Sequence, residues 1–188
     1  MGTIESNQIK LGMTIELDGA PYMVTNVEHV KPGKGGSFAR TKLRHLKLDT
    51  IIERTFRSDD KIEEAYIEEK ALQFSYHSGD FSHFIDSETY EDIAIEKAKL
   101  HEAHKFLKDN LEVTALYYKD ELVTVILPNF VIYTITHTEP GIKGDTAKSG
   151  GKPATIETGA VISVPLFIDV GTKVKVDTRT GEYIERAV

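Results

Sequence analysis

A lysine at the centre of a glycine-rich loop is the side chain whose position most suggests chemistry. The loop reads Val30-Lys31-Pro32-Gly33-Lys34-Gly35-Gly36-Ser37-Phe38. Pro32 fixes its own φ angle, and the glycines allow backbone angles that other residues avoid, so we expect a tip with few side chains beside Lys34. A lysine in that position can reach outward to a phosphate group. The pattern alone is equally compatible with a solvated hairpin loop that carries an incidental lysine.

A nucleotide-binding P-loop is excluded by the residues after the lysine. That motif needs a serine or threonine directly after the lysine and then a helix. Here Lys34 is followed by two glycines and then by a strand pattern. Four basic side chains near the tip would instead hold the domain on phosphate groups and direct the loop: Lys31, Arg40, Lys42 and Arg44.

Histidines and carboxylates do not assemble into a recognisable catalytic or metal site. His101 and His104 stand three residues apart on a predicted helix, but a metal site needs three or four ligands and no second pair accompanies them. The neighbouring Glu63 and Glu64 point to opposite faces of a strand and cannot act as an acid/base pair. No nucleophile motif is present. The sequence therefore predicts no catalytic residues, no metal ligands and no cofactor.

Charge is unevenly distributed along the chain of 188 residues, whose net charge is −7. Residues 29–57 hold eight basic side chains against only Asp49 and Glu53, which gives a local balance of +6. Residues 65–128 hold six basic and 13 acidic side chains, which gives −7, and contain no arginine. Phosphate binding depends on a concentrated basic patch more than on the whole-chain balance. There is no cysteine, which excludes disulfides and thiolate metal sites.

Strand patterns dominate and predict an all-β protein. Residues 14–17 and 22–30 flank a turn at Asp18-Gly19-Ala20-Pro21, as in a hairpin. Residues 38–48 alternate apolar and basic side chains, which is typical of a half-exposed strand, and residues 51–56 continue the pattern. Further strands are predicted at residues 65–76, 81–85, 111–118, 122–127, 130–138, 161–164, 173–176 and 183–185. Residues 99–107 give the only convincing helix pattern, and residues 139–153 read as a long loop.

Three domains are predicted at residues 1–64, 65–128 and 129–188, each with a core that is marginal alone. Aromatic residues on the predicted strands could stack on bases, but core positions are the more common use of such side chains in small barrels. Tyr183 and Arg186 near the C-terminus are further candidates for RNA contact. A generic single-stranded nucleic-acid module and a small hydrolase are the competing interpretations, and they predict oligonucleotide binding and turnover respectively.

Two long motifs resemble the elongation factor P family of bacteria, which is related to the hypusine-containing initiation factor of archaea and eukaryotes. The first is Lys31-Pro32-Gly33-Lys34-Gly35, followed by residues 38–40 and 42–43. The second, in the C-terminal third, comprises residues 139–146, 152–159, 164–167 and 175–183. The resemblance covers essentially the whole chain. It implies a KOW/SH3-like domain followed by two OB-fold domains, three small barrels arranged in an L.

The family's function, carried over by this resemblance, is relief of ribosomes that stall at consecutive prolines. The factor would bind the 70S ribosome, both subunits and rRNA, between the P and E sites. Lys34 would reach the CCA end of the P-site peptidyl-tRNA. A loop with Gly144, Asp145 and Thr146 would lie on the small subunit beside the E-site mRNA codon.

The resemblance also implies that the factor is not an enzyme, because the ribosome performs the chemistry. Family members with lysine at the tip commonly carry an amine-type extension such as β-lysyl, so a modifying enzyme that acts on Lys34 is implied. We expect a cytoplasmic monomer with no membrane partner.

Overall fold

Strands make up most of the protein, for which a computed structural model describes residues 2–33, 35–140 and 151–187. The described chain forms a six-stranded sheet and two five-stranded sheets, so the all-β prediction is confirmed. The chain divides into two compact units. The first comprises Met1–Glu69 with Ala115–Thr124, and the second comprises Lys70–Thr114 with Val125–Val188. The division into three domains stays a prediction.

The six-stranded sheet lies in the first unit, with strand order β1-β6-β2-β3-β4-β5. Its strands are β1 (Thr3–Glu5), β2 (Thr14–Leu17), β3 (Ala20–Val30), β4 (Phe38–His45), β5 (Ile51–Arg57) and β6 (Lys61–Glu64). A 3₁₀ helix at Ser6–Gln8 comes directly after β1. The short strands β1 and β6 were not predicted.

Local sequence explains the centre of this sheet. The turn between β2 and β3 is two residues shorter than predicted, because Ala20 and Pro21 belong to β3. Asp18 and Gly19 both have positive φ, at 51° and 80°, as a two-residue hairpin turn requires. In β4, Ala39 and Leu43 are buried while Arg40 points to solvent, so the predicted alternation is confirmed for Phe38–His45. The strand ends there, three residues before the predicted end at residue 48. The buried side chains form a core of Ile9, Ile15, Val24, Ala39, Leu43, Phe56 and Ile62.

A second hydrophobic cluster in the first unit contains Leu46, Ala65, Leu116, Tyr118 and Val123. The last three belong to residues 115–124, the hairpin formed by the ends of β10 (Glu112–Tyr118) and β11 (Glu121–Ile126). The Tyr118 hydroxyl donates a hydrogen bond to the Glu16 carboxylate, and Lys119 Nζ lies 3.1 Å from Glu16 Oε2. The hydrogen bonds from Tyr118 and Lys119 lower the pKa of Glu16. These contacts secure the hairpin tip to the N-terminal core.

The second sheet has the strand order β11-β10-β7-β8-β9. Its other strands are β7 (Glu68–Ser78), β8 (Phe81–Asp86) and β9 (Asp92–Glu96). Strand β9 was not predicted. The break after β8 was predicted, and the Asp86 carboxylate stabilises it by accepting hydrogen bonds from the backbone N–H groups of Glu88 and Thr89.

The predicted helix over residues 99–107 is only partly right. The structure has one α-helical turn, α1 (Lys97–Leu100), followed by a 3₁₀ helix at His101–Phe106. The α-helix ends at Leu100 because the next residue, His101, has a φ of 48° and a ψ of −133°, which cannot continue an α-helix. The apolar residues whose spacing predicted one helix are divided between the two helices, and Leu100 and Phe106 are buried.

The third sheet lies in the second unit and has the order β14-β13-β12-β15-β16. Its strands are β12 (Phe130–Thr138), β13 (Gly151–Ile156), β14 (Val161–Pro165), β15 (Lys173–Asp177) and β16 (Glu182–Arg186). The prediction of a loop through residue 153 is wrong, because β13 begins at Gly151. The strand was missed because a lysine, Lys152, occupies a buried position and a proline, Pro153, occupies an exposed one. Neither residue type is typical of a strand.

One tyrosine links two parts of the second unit. Tyr133 on β12 is fully buried, and its hydroxyl donates a hydrogen bond of 2.6 Å to the backbone carbonyl of Phe106. Burial, together with the charge of Glu157, raises the pKa of Tyr133. The neutral hydroxyl therefore persists as a donor through the physiological range, and it fixes the end of the 3₁₀ helix against β12.

An ion pair near the C-terminus should make the folded state less stable at acid pH. Asp177 is buried and accepts hydrogen bonds from Arg179 Nε at 3.0 Å and from Arg179 Nη2 at 2.6 Å. These bonds lower the pKa of Asp177 to about 2, against about 3.9 for an unfolded aspartate. A depressed pKa stabilises the folded state above about pH 4, and this contribution is lost as the pH falls toward 2.

We therefore expect Arg179→Gln to lower the melting temperature at neutral pH. The difference from wild type should shrink below about pH 4 and nearly vanish close to pH 2. Thermal unfolding followed by circular dichroism between pH 7 and pH 2 measures this. Arg186→Gln is the matched control, since Arg186 has no ion pair within the described residues. A difference for Arg179→Gln that stayed constant across the range would contradict the assignment.

Candidate nucleic-acid interface

The glycine-rich tip loop joins β3 to β4, and the pairing of Val30 with Phe38 closes its base. Lys34, the predicted working residue, lies outside the described residues. Its described neighbours Lys31, Pro32, Gly33, Gly35 and Gly36 are all exposed. The structure therefore leaves the flanks of the tip open to a partner.

The glycines of the loop differ in whether their backbone angles require glycine. Gly35 has a φ of +116°, which L side chains rarely adopt, so backbone freedom is essential there. Gly33 and Gly36 do not have such φ angles, so the expected backbone freedom is used at Gly35 and not at these two positions. A Cβ atom at Gly33 would meet no heavy atom within 4 Å, which fits a narrow tip in open solvent.

The basic side chains of β4 lie on one exposed face. Lys42 Nζ is 3.2 Å from Glu53 Oε1, and Arg44 Nε is 3.7 Å from an Asp49 carboxylate oxygen. Both pairs are largely exposed, so each holds its cation by at most about 1 kcal/mol and a phosphate group could displace the carboxylate. Arg40 has no ion-pair partner in the described part of the chain, and its guanidinium carbon lies 5.5 Å from the Phe38 ring centroid.

Sequence reasoning missed Arg57, which belongs to the same face. Strand β5 pairs with β4 in a continuous antiparallel register that places Arg57 opposite Phe38 and Thr55 opposite Arg40. Paired residues project to the same side of a sheet. The sequence holds no local signal for this position, because it depends on the register in which β5 pairs with β4.

Gly144, Asp145 and Thr146, the residues of the predicted small-subunit loop, lie outside the described residues. The segments on either side of it are described. Lys152 is only 7% exposed, and its ammonium group donates a hydrogen bond of 2.7 Å to the backbone carbonyl of Glu139. A buried lysine thus joins the end of β12 to the beginning of β13.

Tyr183 and Arg186 both lie on β16, the edge strand of the third sheet. Tyr183 pairs with Val176 and is half-buried, whereas Arg186 pairs with Val174 and is exposed. Arg186 is therefore accessible to solvent, and Tyr183 exposes part of its surface. Among the aromatic residues of the predicted strands, Phe74, Phe84, Tyr118 and Tyr133 are core residues.

Other site types find no support in the described residues. Within residues 2–33, 35–140 and 151–187, no three histidine or carboxylate side chains are grouped so that they could hold a metal ion. His104 Nδ1 instead contacts the backbone carbonyl of His101. In the same ranges, no helix has the length and apolar character needed to cross a membrane.

Three family models match consecutive segments of the chain: the KOW-like domain of elongation factor P at residues 5–62, its OB domain at residues 67–125 and its C-terminal domain at residues 131–186. The elongation factor P of Caldanaerobacter subterraneus subsp. tengcongensis is 51% identical over 183 residues, which are 97% of this chain and 99% of that protein. The chain belongs to the elongation factor P family. The elongation factor P of Natranaerobius thermophilus is 49% identical and covers 97% of both chains.

Membership in the elongation factor P family makes the chain a translation elongation factor. The three sheets correspond to the KOW-like and OB-type segments of that family, and the resemblance inferred from the motifs is confirmed.

The fold of the chain is also similar to that of solved structures. The structure of eukaryotic translation initiation factor 5A from Methanococcus jannaschii matches 66% of this chain and 94% of its own, with a TM-score of 0.54 and 23% identity. A translation initiation factor of the same family from Naegleria fowleri matches with the same TM-score and 13% identity. At these identities, the likeness concerns the fold alone.

Proposed function

We propose that this elongation factor P binds the ribosome between the P and E sites and stimulates peptide-bond formation at consecutive prolines. It does so by stabilising the P-site peptidyl-tRNA through Lys34. The observation that carries the proposal is the exposed cationic face of β4, which leads directly away from the glycine-rich tip. That face offers guanidinium and ammonium groups to phosphates on either side of the tip.

The need for such a factor arises from the chemistry of proline. The pyrrolidine ring restricts φ, so a nascent chain ending in prolines and a prolyl acceptor both resist the geometry of peptide transfer. Reactions of this kind depend strongly on orientation. A rigid hold on the CCA end of the tRNA would restore part of the lost orientation, and each ~1.4 kcal/mol removed from the barrier is about tenfold in rate. The ribosome remains the catalyst, and the factor performs no proton chemistry.

Charge segregation supports a partner made of RNA. The basic excess of +6 in residues 29–57 coincides with the tip and the exposed face of β4, while residues 65–128 carry the whole net charge of −7. Concentrated positive charge binds phosphates, and the acidic segment discourages indiscriminate attachment to rRNA. This is the expected pattern for a factor that places one end on tRNA.

Extension of Lys34 by an amine-bearing group fits the same role. A β-lysyl or similar group added by a modifying enzyme would lengthen the reach of the side chain and preserve its positive charge. The glycines on either side leave room for such an enzyme, since Gly33 and Gly35 are exposed. The modification is covalent, and no separate cofactor is involved.

The C-terminal third would make the second attachment. We place Gly144, Asp145 and Thr146 beside the E-site mRNA codon on the small subunit, with Tyr183 and Arg186 as further RNA contacts. The hydrogen bond from Lys152 to Glu139 supports this role, because it holds together the two ends of the loop that carries those residues. One copy of the factor would act on each ribosome in the cytoplasm.

A reconstituted translation system tests the proposal. Ribosomes that translate a reporter with three consecutive prolines should synthesise it faster when the purified, modified protein is added. A matched reporter with three alanines should be synthesised at the same rate with and without the protein. Equal rates on the proline reporter, with and without the protein, would reject the proposed function.

A further inference from the structure

A shallow concavity lies beside the tip loop, on the exposed face of β4 and β5. Its volume is about 450 Å³, which is within the range of small-ligand sites. It is lined by Gly36, Ser37, Phe38, Arg40, Thr55, Arg57, Ser58 and Asp59. The lining therefore combines an aromatic ring, two guanidinium groups and three hydroxyl groups.

Strand pairing places the two arginines as diagonal neighbours. Arg57 is opposite Phe38, and Arg40 is two residues further along β4, opposite Thr55. Diagonal residues on one face of an antiparallel pair have Cα atoms roughly 7–8 Å apart, which long side chains can span. Both guanidinium groups can therefore approach one anion placed above Phe38. A guanidinium group can donate two parallel hydrogen bonds to the oxygens of one phosphate. Two arginines can therefore bind a phosphate group here with more defined geometry than two lysine ammonium groups could.

Neither arginine is neutralised. Arg40 and Arg57 have no ion-pair partner in the described part of the chain, and both side chains are exposed. Asp59 is the one acidic side chain in the lining, so the concavity has a formal balance of +1. Asp60 accepts a hydrogen bond of 2.8 Å from the backbone N–H of Arg57, which fixes the strand end without involving the guanidinium.

We infer that this concavity is a binding subsite for one nucleotide of an RNA strand, with Arg40 and Arg57 on a backbone phosphate and the Phe38 ring against the adjoining base or ribose. The hydroxyl groups of Thr55 and Ser58 supply donors and acceptors for the remaining polar atoms. The assignment rests on the proposed binding of tRNA. It adds Arg57 and the concavity to the basic residues already placed on β4.

The matched variants are Arg57→Gln and Arg54→Gln. Arg54 is on the same strand but faces the other way, where its guanidinium carbon lies 5.8 Å from the Phe56 ring centroid. Both substitutions remove one exposed positive charge. The measurement is ribosome affinity at several salt concentrations. Loss of one phosphate contact should reduce the slope of log affinity against log salt by about 0.7 to 0.9.

We expect Arg57→Gln to weaken binding and reduce this slope, Arg57→Lys to retain the slope, and Arg54→Gln to behave as wild type. Melting temperatures of all variants check that each one is folded. A folded Arg57→Gln with the wild-type slope would overturn the subsite, and so would an equal loss for Arg54→Gln. Failure of the wild-type protein to bind or stimulate ribosomes would instead reject the proposed function, so the two failures are distinguishable.

Discussion

Lys34→Ala is expected to abolish the stimulation of triple-proline synthesis while leaving the melting temperature unchanged. The loop around position 34 is exposed on both sides, so the fold does not depend on a side chain there. In the proposed function, the ammonium group of Lys34, or an amine extension attached to it, contacts the CCA end. Its loss removes an interaction with the reacting complex, and even ~1.4 kcal/mol of lost stabilisation is about a tenfold loss of rate.

Two controls separate charge from modification. Lys31→Ala removes a neighbouring cation of the same loop and should cost only part of the activity, because the role we propose for Lys31 is phosphate binding alone. Lys34→Arg retains the charge but offers a guanidinium in place of the amine that we propose is modified. Peptide mapping of protein from its native host should locate an added mass at Lys34. Unchanged synthesis of the triple-proline reporter by folded Lys34→Ala would contradict the role of this residue.

Tyr133→Ala is expected to destabilise the second unit more than any surface substitution. The ring is fully buried, and removal of a buried aromatic side chain typically costs about 3–5 kcal/mol of unfolding free energy. The substitution also leaves the backbone carbonyl of Phe106 without its hydrogen-bond donor. Urea unfolding followed by circular dichroism measures the shift in midpoint.

Tyr133→Phe isolates the hydrogen bond. The ring stays in place, so the expected cost is the roughly 1–3 kcal/mol of an unsatisfied buried carbonyl. Tyr90→Phe is the matched control, because Tyr90 is 80% exposed. This variant should have the urea midpoint of the wild type. A wild-type urea midpoint for Tyr133→Phe would show that the bond between β12 and the 3₁₀ helix does not contribute to stability.

Much of the fold was predictable because its information is local. The Asp18-Gly19 turn needs two residues with positive φ, and the flanking alternation of apolar side chains fixes the faces of β2, β3 and β4. The predictions failed where local signals conflict with tertiary context. Lys152 is a charged side chain at a buried strand position, which periodicity alone cannot recognise, and its partner Glu139 is 13 residues away.

The sequence by itself determined the all-β class, the cationic strand beside a glycine-rich tip and, through two motifs, the family. Tertiary structure alone showed that Arg57 joins Arg40 around one concavity, and that residues 115–124 pack on Leu46 and Ala65 of the first unit. The physical reason is the sequence separation of the residues that interact. A turn or an alternating strand depends on neighbours a few residues away, whereas pairing register and core packing bring together residues that are distant in sequence.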